Sequence, residues 1–338
     1  MSSLAASVDA LATETGFSGV VAVHAEAEPV MAAAYGFANR VGAVPNTVDT
    51  RFGIASGTKG FTALAVMRLI ERGDIALDTH ARSVLGADLP LVDDAVTIEH
   101  LLAHTSGIGD YLDEEGLDSN VWPLEIPARE LDSTTAYLPL LDGYPQRCAP
   151  GSDFRYCNGA YVILAVIAQR VTELPFPEII DTFVVRPAGL RATSFLRVDD
   201  LAPDAATGYL DDGRINVEHI PAHGSGDGGI FTTVADIATL WRACFDGRVV
   251  STATMAEMVR PRNALASGTY RYGLGFWLNG SSDVVQLEGC DAGVSFRSVH
   301  DPGAQLSATV VSNSTDGAWP IARLLDEYLA TSRSGDSP

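Results

Sequence analysis

Lysine is all but missing from this sequence: of 22 basic residues, 21 are arginine and one, Lys59, is lysine. Basic charge of either kind is scarce beside 43 acidic residues. The formal net charge of −21 repels phosphate backbones and anionic lipid headgroups, so neither nucleic acid nor a membrane surface is an expected partner. Cysteine is limited to Cys148, Cys157, Cys244 and Cys290, with no Cys-x-x-Cys pair, in a chain long enough to fold without disulfide staples. They are expected to be unbridged thiols. No run approaches the ~20 apolar residues of a membrane span. The first ten residues carry no basic segment ahead of an apolar one, and the expected location is the cytoplasm. A Gly-x-Ser-x-Gly elbow is also absent, which argues against an α/β-hydrolase.

What is present is enough for an enzyme-sized core: 338 residues, 46% hydrophobic and 19% charged. Apolar residues recur at helical spacing over residues 4–11. Residues 18–23 and 30–35 then read as two strands around a turn at 25–29. Near the other end, residues 272–278, 284–288, 294–299 and 306–312 are four strand-like runs separated by Gly, Asn, Asp and Pro, and such short connections favour antiparallel pairing. Residues between them are mostly helical in pattern, notably 98–102 and 160–171. The expected fold is α+β, an antiparallel β-sheet flanked by helices and interrupted by a large helical insertion. In domain terms, residues 1–76 together with 210–330 form the sheet domain, 77–209 a mostly helical one, and 331–338 a disordered tail. No internal repeat is visible.

The one lysine stands three residues after Ser56. Arginine cannot give up its proton, whereas a lysine desolvated beside positive potential can act as a base. A helix through Phe61, Leu64, Ala65, Leu69 and Ile70, stopped by Gly73, sets Ser56 and Lys59 on one face at its N-terminus. The dipole there, worth ~0.3–1 kcal/mol, favours a developing serine alkoxide and an uncharged amine together. The plainer reading makes Ser56 an N-cap and Lys59 a surface charge. A capping box, however, wants Glu or Gln where Lys59 stands.

Ser56-Gly57-Thr58-Lys59 resembles the Ser-x-x-Lys element of serine β-lactamases and penicillin-binding proteins. Tyr156-Cys157-Asn158, after Pro150-Gly151 and ahead of a helix, is similar to the Tyr-x-Asn element of the class C-like branch. In an extended segment Tyr156 and Asn158 would face the same way. The stretches around His100 to Gly107, Arg186 to Leu190, Gly228 to Asp236 and Tyr272 to Gly275 also look like that branch, in the same order. The resemblance implies that Ser56 is acylated, that Lys59 or Tyr156 serves as base, and that Tyr156 relays protons to the leaving group and from the acceptor. It further implies that Asn158 holds Lys59 or the substrate's acyl side, and that the Ser56 amide and one from the third-motif strand meet the oxyanion. For Tyr156 an ordinary half-buried tyrosine is the plain alternative.

The family's third motif opens with Lys or His, a small residue and Gly. The stretch matched to it runs from Gly289 to Phe296 and offers Cys290 and Asp291 instead of a cation. Asp291 would repel an anionic substrate, which favours uncharged esters or amides. Gly293 is the candidate for the second oxyanion amide, and Cys290 reads as a packing residue with no adjacent histidine to activate it.

Other patterns carry less. Gly224 to Gly229 fits Gly-x-Gly-x-x-Gly without a βαβ setting and reads as a glycine turn. His219, His223 and Asp227 have ligand-like spacing, but Pro221 and the glycines break the helix that would align them. His100 and His104 read as structural, and the pairs Asp93-Asp94 and Glu114-Glu115 as solvated surface. No metal or cofactor is implied. The expected function is a serine hydrolase of the carboxylesterase or amidase kind acting through an acyl-enzyme on a small-molecule ester or amide, with acyl transfer to an alcohol or amine compatible with the same site. Its rivals are a D-amino-acid peptidase or weak β-lactamase, disfavoured by the missing cation, and a sensor that acylates without turnover.

Overall fold

Alternation along the N-terminal strand decides the layering. In β1 (Gly19–Ala25), Val20 and Ala22 point into one apolar cluster while Val21 and Val23 point into another, so both faces of the strand are covered. The computed structural model describes residues 3–26, 28–113, 126–264 and 268–333. β1 pairs with β2 (Glu28–Tyr35), and the remaining strands of the main sheet come from the far end of the chain. These are β3 (Asn263–Ala264), β4 (Tyr270–Tyr272), β5 (Trp277–Asn279), β6 (Val285–Asp291), β7 (Val294–Asp301) and β8 (Leu306–Ser312). The order is β2-β1-β8-β7-β6-β5-β4-β3, antiparallel throughout, with Gly19 opposite Ser312 closing the two termini onto each other.

One face of the sheet is covered by α1 (Leu4–Thr15) and the last helix, Ala318–Arg333, through Val8, Ala12, Leu325 and Leu329. The other face holds α2 (Thr58–Arg72), and behind it α3 (Asn158–Thr172), whose residues from Asn158 to Ala168 are all buried. A helix that is apolar all round belongs inside a protein, and each large aliphatic side chain so buried contributes about 1.5–3 kcal/mol. The fold is α+β, as the pattern of elements implies.

Three local expectations change. Residues 272–278 form no single strand: the chain leaves the sheet at Gly273, where a Cβ would stand 2.1 Å from the Met258 carbonyl, and returns as β5. Within 77–209 the helices end at Ala188, and Ser194–Phe195 joins Phe52–Gly53 and Ile230–Thr232 in a small three-stranded sheet. The final helix runs through residues 331–333, expected to begin a disordered tail, while 334–338 lie outside the described residues, as do Glu114 and Glu115. Among the described residues no single helix is long and apolar enough to cross a membrane, and no disulfide joins the four cysteines.

Candidate active site

Ser56 is placed by a strained turn. The chain passes from the short strand Phe52–Gly53 through Ala55, whose φ of 44° lies in the left-handed region, into one 3₁₀ turn, Ala55–Gly57, and then α2. Ser56 therefore stands at the positive end of α2 without capping it: Gly57 occupies the N-cap. One turn on, Lys59 is only 2% exposed. Its Nζ lies 2.7 Å from Ser56 Oγ, 2.7 Å from Asn158 Oδ1 and 2.9 Å from the Asp227 carbonyl oxygen.

The two partners other than serine are acceptors only, so an uncharged amine would spend its two hydrogens on them and turn its lone pair toward Ser56 Oγ. Asp227 is delivered by the glycine turn 224–229, closed by a Ser225–Gly228 bridge and fastened to α2 by Thr62 Oγ1 donating to the Gly226 carbonyl. Gly226 has to be glycine, because a Cβ there would stand 2.0 Å from the Tyr161 carbonyl. The carboxylate of Asp227 accepts the Tyr111 hydroxyl at 2.5 Å; burial, then this neighbouring charge, push the Tyr111 phenol well up.

Asn158 is the first residue of α3, so the extended backbone at Cys157 does not continue through it. Its Nδ2 donates to the Leu112 carbonyl, and its backbone N–H and that of Gly159 are accepted by Asp110. Burial raises the Asp110 carboxyl to about 6 against those hydrogen bonds. Tyr156 also lies beside Lys59, whose Nζ sits 5.0 Å from the centre of its ring, and the ring stacks on Trp277 at 5.8 Å.

The third-motif strand is β6, in a different register from the one expected. Gly289 lies directly against the nucleophile turn: a Cβ on it would stand 2.2 Å from the Ile54 carbonyl and 2.7 Å from Ser56 N. Asn279 N donates to the Val284 carbonyl, so Val284 directs its peptide groups toward β5, and alternation sends those of Gln286, Glu288 and Cys290 the same way. β5 pairs only as far as Gln286, and the Cys290 amide therefore points past the end of that pairing, where Cys290 and Ser56 line the same cleft. Gly293 cannot take that part. It forms the β6–β7 turn with φ 70°, its amide donates to Thr315 Oγ1 at 2.9 Å, and it does not line the cleft around Ser56. Asp291 does line the cleft. With Gly289 as the motif glycine, the leading position falls to Leu287, buried against Gly60 of α2, and not to Cys290; no cation stands there.

The cleft is walled mainly by Tyr111, Tyr137, Val198, Ile220, Phe231 and Val294, and Ser56 and Asn158 also line it. A family model described as "Beta-lactamase" matches residues 4–330. The chain belongs to the β-lactamase family. A crystal structure of a penicillin-binding protein from Bacillus halodurans is similar at a TM-score of 0.88 and 31% identity, over 95% of this chain and 99% of that one. Esterase EstB of Burkholderia gladioli is 34% identical over 218 residues, 58% of this chain and 53% of EstB. A D-aminopeptidase of Brucella anthropi is 26% identical over 333 residues, 94% of this chain and 60% of that protein. The chain thus spans between half and two thirds of the length of these two curated relatives.

The remaining motif residues fall into place around this family site. His219 lines the cleft, while His223 stacks on Phe195 with Nδ1 against the Gly224 carbonyl. Among the described residues no three side chains gather as metal ligands. His100 completes a capping box with Thr97, and His104 lies buried behind Tyr156.

Proposed function

We propose that the protein is a serine hydrolase that forms an acyl-enzyme on Ser56 and acts on small uncharged esters or amides. The 2.7 Å approach of Lys59 Nζ to Ser56 Oγ, with both other Lys59 partners acceptors, carries this reading. The Ser56 proton passes to Nζ as Oγ bonds the substrate carbonyl carbon, and the carbonyl oxygen takes the electron pair. The backbone N–H groups of Ser56 and Cys290 receive that oxyanion. As the tetrahedral centre collapses, the leaving alkoxide or amine takes a proton relayed through Tyr156, and water then releases the acid by the same steps in reverse. Resemblance to an esterase supports the substrate class, and the apolar cleft wall suits an uncharged acyl group. Four thiols without a disulfide suit a reducing compartment such as the cytoplasm.

A second reading, hydrolysis of amides or peptides next to a free amine, is favoured by Asp291, whose carboxylate at the cleft would pair with an ammonium. The test is a p-nitrophenyl ester series, a D-amino-acid anilide and nitrocefin, with turnover and intact mass followed for the protein and for Ser56→Ala. Ester turnover that vanishes in Ser56→Ala, with little nitrocefin cleavage, is expected. Preference for the anilide would select the second reading, a persistent adduct without turnover would indicate a sensor, and activity surviving the substitution would overturn the assignment.

A further inference from the structure

Behind Tyr156 lies a histidine for which the proposed reaction has no chemical use. His104 is 0% exposed, and its Nδ1 accepts the backbone N–H of Cys157, in the Tyr156–Cys157 peptide, at 3.1 Å. An accepting Nδ1 places the ring proton on Nε2, which is buried without a hydrogen-bond partner. Aromatic rings surround it: centroids lie 4.4 Å away at Tyr156, 4.8 Å at Tyr272 and 4.9 Å at Tyr161. Burial, and then the nearby charge of Lys59, hold the imidazole well below the ordinary histidine range, so it stays neutral. Its backbone is unusual too, with φ 55° in the region that favours Gly or Asn.

A left-handed backbone and an orphaned buried N–H both work against folding, and a residue kept only to fill space would show neither. What His104 has in return is contact with two neighbouring groups, the Tyr156 ring through its own ring and the Cys157 amide through its Nδ1. We propose that His104 is a positioning residue for Tyr156, backing the phenol ring while pinning the Tyr156–Cys157 peptide, so that the Tyr156 and Asn158 side chains are both held beside Lys59. This rests on the serine-hydrolase reading.

The experiment separates the two claims by using a probe that needs an activated serine but no particular ester. A fluorophosphonate labels Ser56 by forming an Oγ–P bond as fluoride leaves and the hydroxyl proton is passed on, and intact mass gives the maximal rate and the half-saturating concentration. His104→Asn keeps an acceptor near the Nδ1 position and suits the left-handed backbone; His104→Gln puts its acceptor at the far end, and His104→Phe has none. Misplacement of a reacting group lowers rates by up to about 100-fold, so Gln and Phe are expected to slow maximal labelling about 10- to 100-fold with half-saturation unchanged within about twofold, and Asn to stay within about threefold.

Thermal unfolding confirms that each variant is folded; if Phe is not, the Asn and Gln pair decides. Equal labelling of Asn and Gln, a loss confined to half-saturation, or failure of both Gln and Phe to fold would overturn the proposal. Wild type that is labelled but turns over no ester or amide would overturn the hydrolase reading alone. Wild type that takes no label would overturn both.

Discussion

Gly289 lies so close to Ser56 that a single added methyl would stand 2.7 Å from the Ser56 backbone nitrogen. The contact brings the strand backbone of β6 beside the nucleophile turn, as the proposed pairing of the Ser56 and Cys290 amides on one oxyanion requires. Gly289→Ala is therefore expected to lower kcat by about 100- to 1,000-fold, the loss that follows removal of one oxyanion donor, with a smaller change in KM. Steady-state kinetics on a short p-nitrophenyl ester checks this. A variant as active as wild type would mean that the Cys290 amide has no part in the chemistry.

Lys59 tests the proton route. Arginine in its place keeps the charge but cannot release a proton and is too broad for a cage of three oxygens at 2.7 to 2.9 Å. Lys59→Arg and Lys59→Met are expected to lose about 100- to 10,000-fold in kcat alike, the range for a positioned base. Lys59→Met should also lose stability, by about 1–3 kcal/mol for each buried acceptor left unpaired on Asn158 and Asp227. Urea unfolding measures the second effect. Substantial activity in Lys59→Arg would remove lysine from the base role.

The pairing of Ser56 with Lys59 was legible in the sequence because it is local: three residues at the head of one helix fix their distance. Asn158 was found through its motif, although the 99 residues separating it from Lys59 hide the contact itself. The Asp227 carbonyl and the Cys290 amide were not legible, since backbone groups have no residue signature and their direction depends on strand register. One signal was available and passed over. A glycine inside a strand marks a close backbone approach, and Gly289 is such a residue, whereas Gly293 is a turn glycine with its amide already engaged. His104 escaped for a similar reason: its role lies in what packs on it, and neither ring stacking nor a positive φ can be read from the letters around it.

Asp291 lines the cleft, and the proposed function gives its carboxylate a part in what the cleft accepts. It lies on the same face of β6 as Leu287 and Gly289, and no cation occupies the motif position two residues before Gly289. Asp291→Asn is expected to raise kcat/KM about tenfold for esters carrying a carboxylate and to leave neutral esters nearly unchanged, an effect of the size expected for removing one partly solvated like charge. Paired assays on hemisuccinate and butyrate esters of one phenol decide it. An equal gain on both would show that the carboxylate acts by bulk or packing.

Two buried groups give the stability opposite pH dependences over nearly the same range. His300, 5% exposed and stacked on Trp241, is pushed by burial to about 4. Between about pH 4 and 6.5 the unfolded chain binds a proton there that the folded chain does not, so this contribution to stability is lost as pH falls through that window. Asp110, raised by burial to about 6, is the reverse: folded, it holds a proton that the unfolded carboxyl has released, so its contribution is present near pH 4 and lost as pH rises to about 6. Each is worth about 3 kcal/mol, and between pH 4 and 6 they largely offset one another. Replacing one should expose the other. His300→Gln is expected to grow more stable, relative to wild type, as pH falls from 6 to 4, and Asp110→Asn to grow less stable over the same interval. Urea midpoints for the three proteins at pH 4, 5 and 6 give the differences directly, with unrelated titrations cancelling between variant and parent. Parallel curves for all three would mean that neither group is perturbed in the folded state.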